Sequence, residues 1–111
     1  MLHNRTPERF TRRCYMYATM AVGDKYGCET IREVGAATEL SLLPQPISDK
    51  AVLEEYGVKY EQSLQAAVFD ERVDIRHFYH MKIGSKTYSI VGIKRYPSHR
   101  LLIMERMQNE E

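Results

Sequence analysis

A chain of 111 residues, 43% hydrophobic and 28% charged, suits one domain with a single core and excludes wholesale disorder. Its formal net charge of +1 gives no global field that by itself points to nucleic acid or an anionic membrane. No apolar run approaches the ~18 residues needed to span a bilayer, and the polar, arginine-rich N-terminus lacks the apolar stretch of a secretion signal.

An intracellular chain is therefore expected, with Cys14 and Cys28 as thiols and a Cys14–Cys28 bridge as the less favoured alternative. Residues 1–9 have no apolar period and read as a flexible arm. From Phe10 to Met20, Phe10, Tyr15, Tyr17 and Thr19 alternate with polar residues as in a first strand. Val22-Gly23-Asp24-Lys25-Tyr26-Gly27 supplies turn chemistry, and Glu29 to Pro44 holds one or two strands interrupted near Gly35. Pro44-Gln45-Pro46 ends that run, because proline cannot donate to a central ladder.

Ser48 to Gly57 is the best helical segment. Ser48 or Asp49 can cap it, Val52, Leu53 and Tyr56 share a face, and Gly57 suits the position past the end. Val58 to Phe69 alternates as a strand, though Leu64 and Val68 also fit a helical spacing. Asp70 to Arg76 is a charged connector. Phe78 to Ile83, a turn at Gly84-Ser85, Lys86 to Tyr96 and then Leu101 to Met104 form two closely connected hairpins, with Pro97-Ser98 as the second break. The tail after Met107 should fray. Strands outnumber helices, so the fold class is mainly β: a small antiparallel barrel or sandwich with one short helix or long loop over 44–57.

Chemistry is harder to find. His77 and His80 stand three apart, which suits a zinc pair on a helix, but in a strand they point to opposite faces and read as surface and turn histidines. Cys14 and Cys28, with His3 or His99 as bases, fit no nucleophile motif, and a small buried thiol is the simpler account. No glycine-rich phosphate loop is present. Arg5, Arg9, Arg12 and Arg13 form a basic arm with Phe10, Tyr15 and Tyr17 nearby, which could be solvated, meet an acidic protein surface or contact nucleic acid. No catalytic, metal or cofactor site is expected.

The order Asp24-Lys25-Tyr26-Gly27, a strand ending near Leu43, Ala51 through Tyr56-Gly57-Val58, and the closing run Ile83-Gly84-Ser85-Lys86-Thr87-Tyr88-Ser89-Ile90-Val91-Gly92-Ile93 resembles the head–tail joining proteins of tailed bacteriophages, the head-closure or stopper group. The resemblance covers roughly residues 10–106, with a departure in the long charged segment Asp70–His77. It implies a barrel-like fold without catalysis, in a ring that closes the filled head and docks the tail. The implied partners are a portal or adaptor ring, tail terminator or tail proteins, further copies of the chain, and packaged DNA in the channel, with no membrane. The implied location is the head–tail interface of the virion, and the host cytoplasm during assembly.

In such a ring the arm 1–13 and the loop 44–57 are the expected contact segments, with Arg5, Arg9, Arg12, Arg13, Tyr56, Phe78 and Tyr79 as interaction residues. Core packing is the competing account of the aromatics, and the favoured one for Phe78. The free chain is expected to be monomeric until a template orders it. The alternative function is a small barrel that binds nucleic acid through the basic arm and tyrosine-bearing strands.

Overall fold

The computed structural model describes residues 11–23, 25–47, 49–57 and 62–107. The chain runs β1 (Arg12–Gly23), β2 (Glu29–Leu42), β3 (Gln45–Pro46), α1 (Lys50–Tyr56), β4 (Ser63–Val68), β5 (His80–Ile83), β6 (Lys86–Arg95) and β7 (Arg100–Arg106). All strands join one antiparallel sheet in the order β2-β1-β5-β6-β7-β4-β3. The expected class holds: mostly strand, with a single short helix among the described residues.

Local chemistry explains the elements. The β5–β6 hairpin closes through Gly84-Ser85, and only the glycine takes a positive φ (63°), the pattern of a type II′ turn. In α1 the Asp49 side chain accepts from the Ala51 N–H at 3.0 Å, and Gly57 ends the helix in the left-handed region. Glu29 to Leu42 is one strand rather than two. Gly35, at φ 77°, does not break it but lets Gly35-Ala36-Ala37 bulge opposite Tyr17, between the pairs Met16–Thr38 and Ala18–Val34. β4 is paired from Ser63; the part of the expected strand over 58–61 lies outside the described residues.

One face of the curled sheet holds the main core. Cys14 and Met16, Met81 and Ile83, Tyr88 and Ile90, Leu102 and Met104, and Ala66 and Val68 alternate inward from five strands. The charged connector adds Ile75, which is fully in the core, and Val73 and Tyr79, which pack against it. Cys14 is the buried thiol anticipated. Burial pushes its pKa up, only partly offset by the Arg12 charge, and its S–H donates to the Arg12 carbonyl at 3.5 Å. Cys28 is exposed, and the two form no disulfide.

A second, smaller core lies on the opposite face. Between β6 and β7 the register slips at Val91, so Ile90 opposes Met104 whereas Gly92 opposes Ile103. Leu102, Ile103 and Met104 are all buried, which demands cover on both faces. The Tyr56 ring supplies part of it by lying directly on Gly92, and Ile47, also fully buried, lies in the stretch leading into α1. Loop 44–57 thus packs against its own sheet.

Candidate interaction surface

β1 pairs with β5 only over Cys14 to Tyr17. Beyond that point Ala18–Gly23 pair with Glu29–Val34 and with no other described strand, giving a two-stranded ribbon. It reaches about 20 Å at roughly 3.4 Å per residue, and it helps to make the molecule 55 Å long against 32 and 28 Å in the other directions. Met20, Ile31, Val34 and Tyr26 are exposed on it, Tyr26 by 78%. A two-stranded ribbon is marginal alone, and β2 presents an edge that no other described strand pairs, a template for strand pairing.

The base of the ribbon is fastened to the body by polar groups. Glu33 of β2 reaches across β1 to β5, with Oε2 2.8 Å from Nδ1 of His80 and Oε1 3.4 Å from Nζ of Lys82. Lys82 also sits 4.6 Å from the centroid of the Tyr17 ring. The Thr19 hydroxyl donates to the Phe78 carbonyl at 2.9 Å. His80 is buried, against the expectation of a surface histidine, because it faces Tyr17 across the ladder and finds its partner in Glu33. His77 does lie exposed in a turn. No group of three or more metal-ligating side chains occurs among the described residues.

Burial alone would raise the Glu33 carboxyl. The His80 hydrogen bond and the charges of Lys82 and His80 outweigh it and hold the pKa below its ordinary value. A depressed carboxylate stabilises the fold above its unfolded pKa, and that contribution is lost as pH falls through the folded value. Glu33→Ala is therefore expected to cost about 1 kcal/mol at neutral pH, a modest figure because the carboxylate keeps solvent access. Urea unfolding of the two proteins should show that difference shrinking as pH drops below the ordinary glutamate pKa of about 4.3.

The anticipated interaction residues are scattered. Arg5 and Arg9 lie outside the described residues. Arg12 is exposed with its guanidinium over the Gly84 turn, and Arg13 is exposed but paired with Glu39 at 2.6 Å. Tyr56 is half-buried against Gly92, and Tyr79 is half-buried against the core. Phe78 corrects the favoured core reading: it is 56% exposed. Its φ of 70° is unusual for an aromatic residue, and the turn is held by its N–H donating to the Ile90 carbonyl at 2.6 Å. His99 stacks on Tyr96 within the β6–β7 loop, with Nδ1 2.8 Å from the Ser98 hydroxyl. Sequence reasoning missed the ribbon, whose signal was the turn at Lys25–Gly27 flanked by runs of alternation longer than the body of a small barrel needs.

The opposite end of β2 borders a cleft. β3 pairs with β4 through Gln45–Gln65 and Pro46–Leu64, and extending that register backward would set Leu42 opposite Val68 and Leu40 opposite Asp70. Those pairs are not formed. N-terminal to Pro44, β2 and β4 stay apart, leaving a cleft of about 620 Å³ lined by Leu40, Leu42, Leu43, Ala67, Val68 and Phe69, with Glu39 and Asp70 among its walls.

The chain matches no family model, and a comparison with curated proteins gives no match. Among solved structures it is similar to the solution structure of protein SF1141 from Shigella flexneri 2a, with a TM-score of 0.59 and 16% identity over 90% of this chain and 94% of that one. At that identity the likeness is one of fold: a chain of similar extent folds in the same way.

Proposed function

We propose that the protein is a structural subunit of a tailed-phage head–tail connector, forming a ring that closes the filled head and docks the tail. The observation that carries this reading is the β1–β2 ribbon, which exposes Met20, Ile31, Val34 and Tyr26 and, among the described residues, an unpaired strand edge at one end of the molecule. Such a feature is a liability in a monomer and an asset in an assembly. The motif order over residues 10–106 that resembles head-closure proteins supplies the specific kind of assembly. Its partners are then a portal or adaptor ring on one side, tail proteins on the other, and copies of itself around the channel.

The test is to mix purified chain with portal or adaptor rings and with tail proteins, and to image the product by electron microscopy. The expected result is a chain that sediments as a monomer alone and adds a ring layer to its template. A chain that ignores both proteins and binds DNA with an affinity falling steeply with salt would instead favour the small nucleic-acid-binding barrel.

A further inference from the structure

We infer that neighbouring copies join by seating the ribbon of one in the β2–β4 cleft of the next, an inference that rests on the assembly reading above. The cleft is built for an extended strand. Among the described residues, the outer edge of β2 on one wall has no strand partner, and on the other wall the edge of β4 beyond Gln65 has none, since β3 covers only Leu64 and Gln65. A strand entering there meets backbone donors and acceptors as well as leucine and phenylalanine side chains, which is the chemistry of strand addition. The ribbon brings a matching edge, Glu29–Val34 of β2, whose far side is already paired to β1.

Charge points the same way. The side chains lining the cleft include two carboxylates, Glu39 and Asp70, and no cation. They carry Arg13 and Arg72 as ion-pair partners, whose side chains are 68% and 91% exposed and easily exchanged. The ribbon face formed by the pairs Ala18–Val34, Met20–Arg32 and Val22–Thr30 is apolar with one guanidinium and no carboxylate. Arg32 therefore reaches acids in the cleft as Met20 and Val34 reach the leucines.

The ribbon edge is poorly suited to pairing with itself. A two-fold axis normal to the sheet keeps faces together, so it pairs residues of the same parity. The two registers with the longest overlap, centred on Ile31 and on Arg32, set Glu29 against Glu33 and Arg32 against its own copy. Like charges opposite one another are destabilising. The donor edge and the acceptor cleft lie at opposite ends of β2, so the contact is head-to-tail and propagates until rotation closes it into a ring.

Variants with one accessible cysteine test this in a Cys28→Ser background, Cys14 being buried. Ile31→Cys lies on the exposed ribbon and Ala67→Cys at the cleft, and Arg76→Cys on the exposed connector serves as a control. Mixing the Ile31→Cys and Ala67→Cys chains under mild oxidation should give about tenfold more heterodimer than mixing Ile31→Cys with the control, since docked thiols react at a high effective concentration. The Met20→Asp, Val34→Asp double variant, altered only at exposed positions, should fold as before and lose the cross-link.

Heterodimer at the control level overturns ribbon-in-cleft docking, as does its persistence in the double variant. Ring addition to the portal template is scored separately on the chain with native cysteines. Rings without the cross-link leave the connector reading standing and this contact wrong, whereas the absence of rings counts against the reading itself.

Discussion

Leu102→Ala is expected to destabilise the protein by about 2–5 kcal/mol, a large share of the roughly 5–15 kcal/mol typical of a domain. Leu102 is fully buried in the main core, facing Ile93 of β6 on one side and Ala66 of β4 on the other. The cavity left by truncation could be filled only by moving one of those strands. Both are hydrogen-bonded to β7, and Ala66 is too small to lean in. Most of the transfer and cavity terms should therefore survive relaxation. The neighbouring Leu101 points to the opposite face and is half-buried, so Leu101→Ala should cost much less. Thermal unfolding would show the contrast as a loss on the order of 10–20 °C for Leu102 and a few degrees for Leu101. Equal losses would mean that β7 does not alternate as its pairing register requires.

Leu102 also shows why the sheet was legible and its wrapping was not. Runs such as Thr87-Tyr88-Ser89-Ile90 and the Gly84-Ser85 turn carry their conformation in local chemistry: a period of two, β-branched and aromatic side chains, and a glycine where φ must be positive. The α1 caps were legible for the same reason, since Asp49 and Gly57 act on their immediate neighbours. The three consecutive buried residues Leu102, Ile103 and Met104 have no such local cause. They require cover on both faces, and what covers Ile103 depends on a register slip at Val91 and on a segment about fifty positions earlier.

The interaction surface was harder still. His80 reads as a surface histidine until Glu33, two strands away in the sheet, is placed beside it. Phe78 reads as core because it is aromatic and follows the connector. It is exposed because the backbone turns at that residue and gives the inward place to Tyr79. The ribbon follows from how many residues of β1 outrun β5, a number fixed only once the β5 pairing is known. Apolar residues at exposed ribbon positions carry no mark in the sequence that separates them from core positions.

The second large effect is predicted at a residue with no side chain. Gly92→Ala places a Cβ within 2.7 Å of Cζ and 2.8 Å of Cδ1 of Tyr56, and closer still to Cε1, all well inside contact distance. Gly92 does not take a positive φ, so steric room rather than backbone conformation is what the glycine provides. The ring must leave, and with it goes part of the cover over Ile103. The cost should be about 1–3 kcal/mol, the usual range for overpacking a filled site. Because α1 is a single seven-residue helix without a buried residue of its own, the strain should be relieved by loosening α1 rather than by deforming β6. Hydrogen exchange should then speed up at the α1 amides while those of β6 and β7 stay protected. A double-mutant cycle separates the clash from other losses: Tyr56→Ala removes the ring, so Gly92→Ala made in that background should cost little further. If the two costs simply added, Tyr56 would not be what Gly92 makes room for, and the helix would be held to the sheet by other contacts.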